Sequence, residues 1–238
     1  MTTAKRAQWR ANTVAVAPCP VRCKDVKKFT DYCVTLRAFW IHYQTLFVGS
    51  DLKRELLQQT ASIFFRDLNS AFNEHLILQI CKLTDPASTR QGKLIYSNLT
   101  TQYLLENADF SKDPGDFAKL TKIAKRIAAF RARIVPARNK LIGHLDLEAA
   151  QARRSQGRAP VSAWHQFWLD LQDFLTIMHR RYVNKRVPFY LNGVGIMSDN
   201  DQLVRAMQES TYFRSALHDL KIGSRLAEIA YGSKFRDV

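Results

Sequence analysis

The sequence predicts an all-α protein, a bundle of four long helices with short additional helices. Apolar residues recur at alternating spacings of three and four along four tracts, and the loops between the tracts are short. Runs of strict apolar–polar alternation, the signature of a half-buried strand, are almost missing. Fourteen Phe and four Trp in 238 residues supply the bulk for a substantial core.

Residues 1–22 are rich in Ala, Thr and Arg, carry Pro18 and Pro20, and are expected to form a loose arm. Val26, Phe29, Cys33, Leu36, Trp40, Tyr43 and Phe47 then make the apolar stripe of a first long helix. Gly49 and Ser50 end it, with Asp51 as the cap of the next helix. This second tract, from about 51 to 84, carries Phe65, Leu68, Phe72, Leu76, Ile80 and Leu83. The stretch TDPASTRQG breaks the chain at Pro86 and Gly92. A shorter helix, about 97 to 107, leads to the turn SKDPGD.

Phe117, Leu120, Ile123, Ile127, Phe130 and Ile134 mark a third long helix, interrupted by Pro136, so that ARNKLIGH either begins a renewed helix, whose first turn suits the ring, or continues a kinked one. The polar segment AQARRSQGRAP reads as a linker. Val161, Trp164, Trp168, Leu171, Leu175, Met178 and Tyr182 give the fourth long helix, VPFYLNGVG reads as briefly extended, and about 199–219 as a last helix. The expected division is an arm (1–22), a helical domain (23–150), a linker (151–160) and C-terminal helices (161–238) packing on the same bundle.

Thirty-six Lys and Arg against 21 Asp and Glu give a net charge of +15, which favours a polyanionic partner, nucleic acid before anionic membrane. No apolar run approaches the roughly 18 residues of a membrane span. The beginning, MTTAKRAQWR, lacks the apolar centre of a signal peptide, so a cytoplasmic protein is expected. Cys19 and Cys23 are near enough to share a metal, but no second pair completes four ligands. The cysteines therefore read as reduced structural thiols, with neither metal nor cofactor expected.

Between Phe117 and Leu145 stand eight Lys or Arg and no Asp or Glu. Lys119, Lys122, Arg126 and Arg133 fall within about 60° of one another on a helix, beside the apolar stripe. Solvated faces normally mix signs to gain i,i+4 pairs, and within this stretch nothing neutralises the field. Lys119, Lys122, Lys125, Arg126, Arg133 and Lys140 are thus the expected contacts to RNA phosphates.

Within that basic stretch lies ARNKLIGHLD, residues 137–146. RNA carries its own nucleophile, the 2′-OH, so cleavage needs a proton acceptor, a proton donor and a cation on the developing phosphorane. The imidazole of His144 suits proton transfer near neutral pH. The fork of Arg138 suits phosphate oxygens, and Asn139 is a polar group beside it to orient it. On one ideal helix Arg138 and His144 stand roughly 120° and about 9 Å apart. Either the helix relaxes at Gly143, or the Arg of one copy works with the His of another. A second pair at similar spacing, Arg37 and His42 in RAFWIH, lies amid aromatic residues of the first stripe and reads as packing. NGVG lacks the helix and Lys of a phosphate loop. His165 and His179 have no partner at metal spacing.

The stretch RNKLIGH resembles the signature of the HEPN superfamily, whose pattern is an Arg, a polar residue often Asn, and a His within a few positions. FWIHYQTLFVGSDLKRELL, FFRDLN and LILQICKLTDPA resemble its AbiU branch, associated with abortive infection. The likeness spans about residues 28–150 and leaves the basic C-terminal third uncovered.

The resemblance implies a helical bundle that dimerises so that two motif copies line one cleft. It implies metal-independent endoribonuclease activity leaving a 2′,3′-cyclic phosphate and a 5′-OH, in phage defence or a toxin–antitoxin system. Arg138, Asn139 and His144 fall on the family's Arg, polar and His positions. The implied partners are RNA (tRNA or mRNA), a second copy of the chain and a cognate antitoxin protein. Some relatives carry a Tyr two places after the His as a target for nucleotide transfer by the antitoxin. Here that place is Asp146, which departs from the pattern that this form of regulation needs. Some members only bind, so the alternative is a catalytically silent RNA-binding or protein-interaction module of the same fold.

Overall fold

The computed structural model describes residues 20–92, 94–139, 159–186, 189–191 and 196–219. Most of the expected arm, the linker, Lys140, His144 and NGVG lie outside the described residues. The described chain is all-α apart from one small hairpin. Its elements are α1 (Cys23–Phe47), α2 (Asp51–Thr84), β1 (Ser88–Gln91), β2 (Leu94–Ser97), α3 (Thr101–Asn107), α4 (Pro114–Ala137), α5 (Val161–Tyr182) and α6 (Ile196–Asp219).

The four long stripes are where the periodicity puts them, except at their first residues in the third and fourth tracts, Phe117 and Val161, which are exposed at the starts of their helices. Val26, Phe29, Cys33, Leu36 and Trp40 of α1 are buried, as are Leu76, Ile80 and Leu83 of α2. In α4 the buried set is Leu120, Ile123, Ile127, Phe130, Ile134 and Ala137. In α5 it includes Trp164, Trp168, Leu171, Leu175 and Met178. Side chains three and four apart share one helix face, so each tract buries one stripe and leaves the rest to water.

Four local expectations change. The stretch around Gly92 is an antiparallel hairpin, with Ser88 opposite Ser97 and Gln91 opposite Leu94. Gly92 supplies the positive φ of +60° that its turn needs. The Asn98 side chain ties the base, donating to the Pro86 carbonyl at 3.0 Å and to Thr89 Oγ1 at 2.6 Å. The short helix starts at Thr101 rather than near 97, because the Thr100 hydroxyl accepts from the Tyr103 N–H at 3.1 Å and caps it. At the start of α2 the cap position is Ser50, whose carbonyl accepts from Lys53 and Arg54, and Asp51 is the first helical residue. Of the two expectations at Pro136, the renewed helix is the one set aside: Pro136 lies inside α4, which runs on to Ala137.

One break carries no signal in the sequence. Ala61 in α2 has φ −161° and ψ 79°, so two helical segments meet there.

The chain divides into two compact units, residues 1–37 with 74–192, and residues 38–73 with 193–238. In the first, α5 packs along α4. Phe130 stacks on Phe167 at 4.7 Å between ring centres and meets Trp164 edge-on at 5.1 Å. Phe29 lies 6.5 Å from Phe174. His179 stacks on Phe189 at 4.2 Å, and its Nε2 is 2.8 Å from Thr30 Oγ1. The Thr30 hydroxyl already donates to the Val26 carbonyl, so in this contact His179 Nε2 carries the proton. In the second unit Leu56, Leu57, Phe65 and Met207 form the buried cluster, with Phe47, Leu68 and Val204 against it. Phe72 is ringed there by Phe39, Tyr43 and Phe47.

Two stability measurements check this packing. Phe130→Ala should lower the unfolding free energy by about 3–5 kcal/mol in a urea titration, the usual loss for a buried aromatic. Burial pushes the pKa of His179 below its ordinary 6.5, the nearby Asp31 opposing the shift and Lys27 adding to it. The unfolded chain therefore binds this proton first, and His179 withdraws stability as pH falls below about 6.5. His179→Gln should flatten that part of the urea-midpoint profile between about pH 7 and 5.

Candidate functional site

Pro136 has no N–H to offer the carbonyl of Ala132, so the last turn of α4 is held from further on. The Arg138 N–H donates to the carbonyls of Ile134 and Val135, and residues 138 and 139 continue in a wider, π-type turn. Such turns put side chains at angles a regular helix does not reach.

Arg138 Nη1 donates to Asn139 Oδ1 at 3.0 Å. Its Nη2 lies 3.9 Å from Asp85 Oδ2. The other oxygen of Asp85 accepts from Arg131 Nη2 at 2.7 Å. Arg131 and Arg138 are two turns apart on one flank of α4, and Asp85 directly follows the last residue of α2. One carboxylate thus sits between two guanidiniums and ties the end of α4 to the end of α2. Arg131 Nε is buried with no hydrogen-bond partner among the described residues. Cys81, one turn before Asp85, is fully buried. Burial raises its thiol pKa and Asp85 adds to this, while Arg131 and Arg138 pull the other way. It stays a thiol, which removes it as a nucleophile.

His144 and Lys140 lie outside the described residues. Arg138 and Asn139 are brought together. Asp85 and Arg131 were missed by sequence reasoning. The signals were an Asp-Pro step closing a helix and a seven-residue Arg repeat, neither of which names a partner.

The cations of the basic strip differ in their surroundings. Lys119, Lys122, Lys125, Arg126 and Arg133 are all exposed along α4. Arg126, however, is neutralised: its Nε and Nη2 reach Asp170 Oδ1 at 2.8 and 2.7 Å. Asp170 is 2% exposed, and Gln166 Nε2 donates to the same oxygen at 3.1 Å. The carboxylate comes from α5, which is why a reading along α4 alone could not supply it. Lys119, Lys122, Lys125 and Arg133 make no ion pair or side-chain hydrogen bond among the described residues. Lys119, Lys122, Arg126 and Arg180 wall a groove of about 370 Å³ between α4 and α5. Arg180 is held there by Asp116.

Of the second Arg–His pair, Arg37 lies over the Trp168 ring at 5.0 Å, and its Nη1 is buried with no hydrogen-bond partner among the described residues. Burial lowers its pKa. That is the setting of a packed cation on an aromatic face. No group of three or more His, Cys, Asp or Glu that would hold a metal ion occurs among the described residues. No helix among them is long and apolar enough to cross a membrane.

A family model, HEPN_AbiU2 (AbiU2), matches residues 23–190. The match takes in α1 to α5 and the RNKLIGH segment, and reaches α5 beyond the span of the sequence resemblance. No curated protein and no solved structure matches.

The unequal standing of the strip cations has a direct check. Arg126→Ala strands the Asp170 carboxylate and should cost about 1–3 kcal/mol in urea unfolding, the range for a buried polar group left without its partner. The open side of Arg126, half exposed, keeps the loss below that of a fully buried pair. Lys122→Ala, one turn away, should stay within about 0.5 kcal/mol of the unaltered protein.

Proposed function

The chain belongs to the HEPN AbiU2 family, and from that premise we propose that it is a metal-independent endoribonuclease acting in abortive infection or a toxin–antitoxin system. The observation that carries this reading is the state of Arg138. It stands at the end of α4, partly open to solvent, with its guanidinium hydrogen-bonded to Asn139 and 3.9 Å from Asp85. The matched stretch includes it together with His144.

In the proposed reaction the 2′-OH of the substrate gives its proton to an imidazole and its oxygen attacks the adjacent phosphorus. The bond from phosphorus to the 5′-oxygen breaks, and that oxygen takes a proton as it leaves. The products are a 2′,3′-cyclic phosphate and a 5′-OH, with atoms and charge balanced by two proton transfers. His144 is the group for proton transfer, because its imidazole exchanges protons near neutral pH. Arg138 meets the charge that grows on the phosphorane oxygens, with Asn139 fixing the plane of the fork. Arg138 and His144 are six positions apart, so a homodimer in which two motif copies share a cleft gives each Arg a His from its partner. The unpaired cations of α4 hold the RNA through its phosphates without reading bases.

The test is an incubation of RNA with purified protein and EDTA, scored for cyclic-phosphate ends. His144→Ala should lower cleavage by about a hundredfold to ten-thousandfold, the usual weight of positioned proton transfer, and leave RNA binding intact. Arg138→Ala should stop cleavage as well and weaken binding. His42→Ala should keep the activity per folded molecule. Equal cleavage by His144→Ala and the unaltered protein would overturn the site. Absence of cleavage by the unaltered protein on tRNA and mRNA alike would favour a silent binding module.

A further inference from the structure

Arg138 and the unpaired cations of α4 are not on the same side of the helix. At about 100° per residue, Lys119, Lys122 and Arg133 project within roughly 60° of one another, and Arg131, which shares Asp85 with Arg138, points roughly 150° away from them. Between the two lies the buried stripe of Ile123, Ile127, Phe130 and Ile134. Along the axis the separation is also large. Lys119 stands about 28 Å from Arg138 at 1.5 Å per residue.

The far end of this face is concave as well as charged. Lys119 and Lys122 rise from the wall of the 370 Å³ groove, opposite Arg180. Asp173 is the one carboxylate lining it, while Asp170 and Asp116 are taken up by Arg126 and Arg180. Lys119 and Lys122 are therefore the cations whose charge is left for a ligand. A face kept only for solubility would mix signs along its length, and the exposed face of α4 carries no acidic residue beyond its first turn.

We propose that this face is an exosite for the phosphates of an RNA strand lying outside the cut. RNA held there and cut at Arg138 must run along α4 and pass around its end. A stacked strand advances about 3.4 Å per nucleotide, so the 28 Å takes on the order of eight nucleotides. The protein then selects RNA by reach and flexibility, and short RNAs bind at the motif alone. This rests on the ribonuclease reading for where the strand is cut, not for where it is held.

The experiment measures binding, so it does not need turnover. Fluorescein-labelled single-stranded RNAs of about 4, about 8 and about 16 nucleotides, the range of known single-strand sites, are titrated into the full chain by anisotropy at several salt concentrations. Affinity should rise at least tenfold from the shortest to the longest. Lys119→Glu with Lys122→Glu should flatten that rise and lower the salt slope on the longest RNA by about 1.4, the value of two single-strand phosphate contacts. Lys24→Glu with Lys28→Glu on the exposed face of α1 makes the same change in net charge and should leave the rise intact. Circular dichroism and urea midpoints confirm that both double variants are folded. A flat length dependence in the unaltered protein, or one that survives in the Lys119/Lys122 variant, overturns the exosite. Loss of the rise in both double variants also overturns it, since net charge alone would then explain it. Cleavage is scored on the same RNAs: a length-dependent binder that does not cut keeps the exosite and loses the ribonuclease reading, and a cutter with flat binding does the reverse.

Discussion

Asp170 is a carboxylate taken almost wholly out of water, and the packing of α5 on α4 depends on Arg126 meeting it. Leaving this carboxylate without its arginine costs about 1–3 kcal/mol, comparable to what one well-packed apolar side chain returns. The pair fixes which way the two helices face. With Arg126 on Asp170, Phe130 falls one turn on between Trp164 and Phe167, and the apolar stripe closes. The rest of α4 is then distributed: Arg131 and Arg138 on one flank, Lys119 and Lys122 on the other. One ion pair decides which arginine is scaffold and which cations remain for a ligand.

The opposite flank repeats the device with a different balance. Asp85 stands between Arg131 and Arg138, near enough to bond the first and at the outer limit for the second. The carboxylate carries one negative charge between two guanidiniums, and its two oxygens are unequally engaged. Arg131 takes the short contact, and Arg138 keeps donors for something else. An incoming phosphate would meet an arginine already aimed but only loosely committed, which lowers the entropy lost on binding without the penalty of breaking a strong pair.

The sequence made legible what is periodic and local. The bounds of α2 and α5 follow from their stripes, because an amphipathic helix has to show its 3.6-residue repeat wherever it is buried. Arg138 and Asn139 were readable as a unit because they are adjacent in the chain. What was not readable depends on distant partners. Asp170 is 44 positions from Arg126, and Asp85 is 46 from Arg131, so no window along the chain contains both. The hairpin was hidden for another reason. Its strands, STRQ and LIYS, are short and mostly exposed, so they carry no alternation to read. The polar clamp from Asn98 holds them instead of a core.

The break at Ala61 governs how α2 assembles. A helix without interruption propagates order from one nucleus, each residue adding a bond to the ladder. Here the ladder stops, so Asp51 to Thr60 must nucleate separately from the residues beyond. Ten residues fall short of the roughly 12–15 at which an isolated helix becomes marginally stable in water. That segment therefore owes its helicity to Leu56 and Leu57 seated against Phe65 and Met207. Its secondary structure is a by-product of tertiary contact, and it should appear late, once those side chains have met.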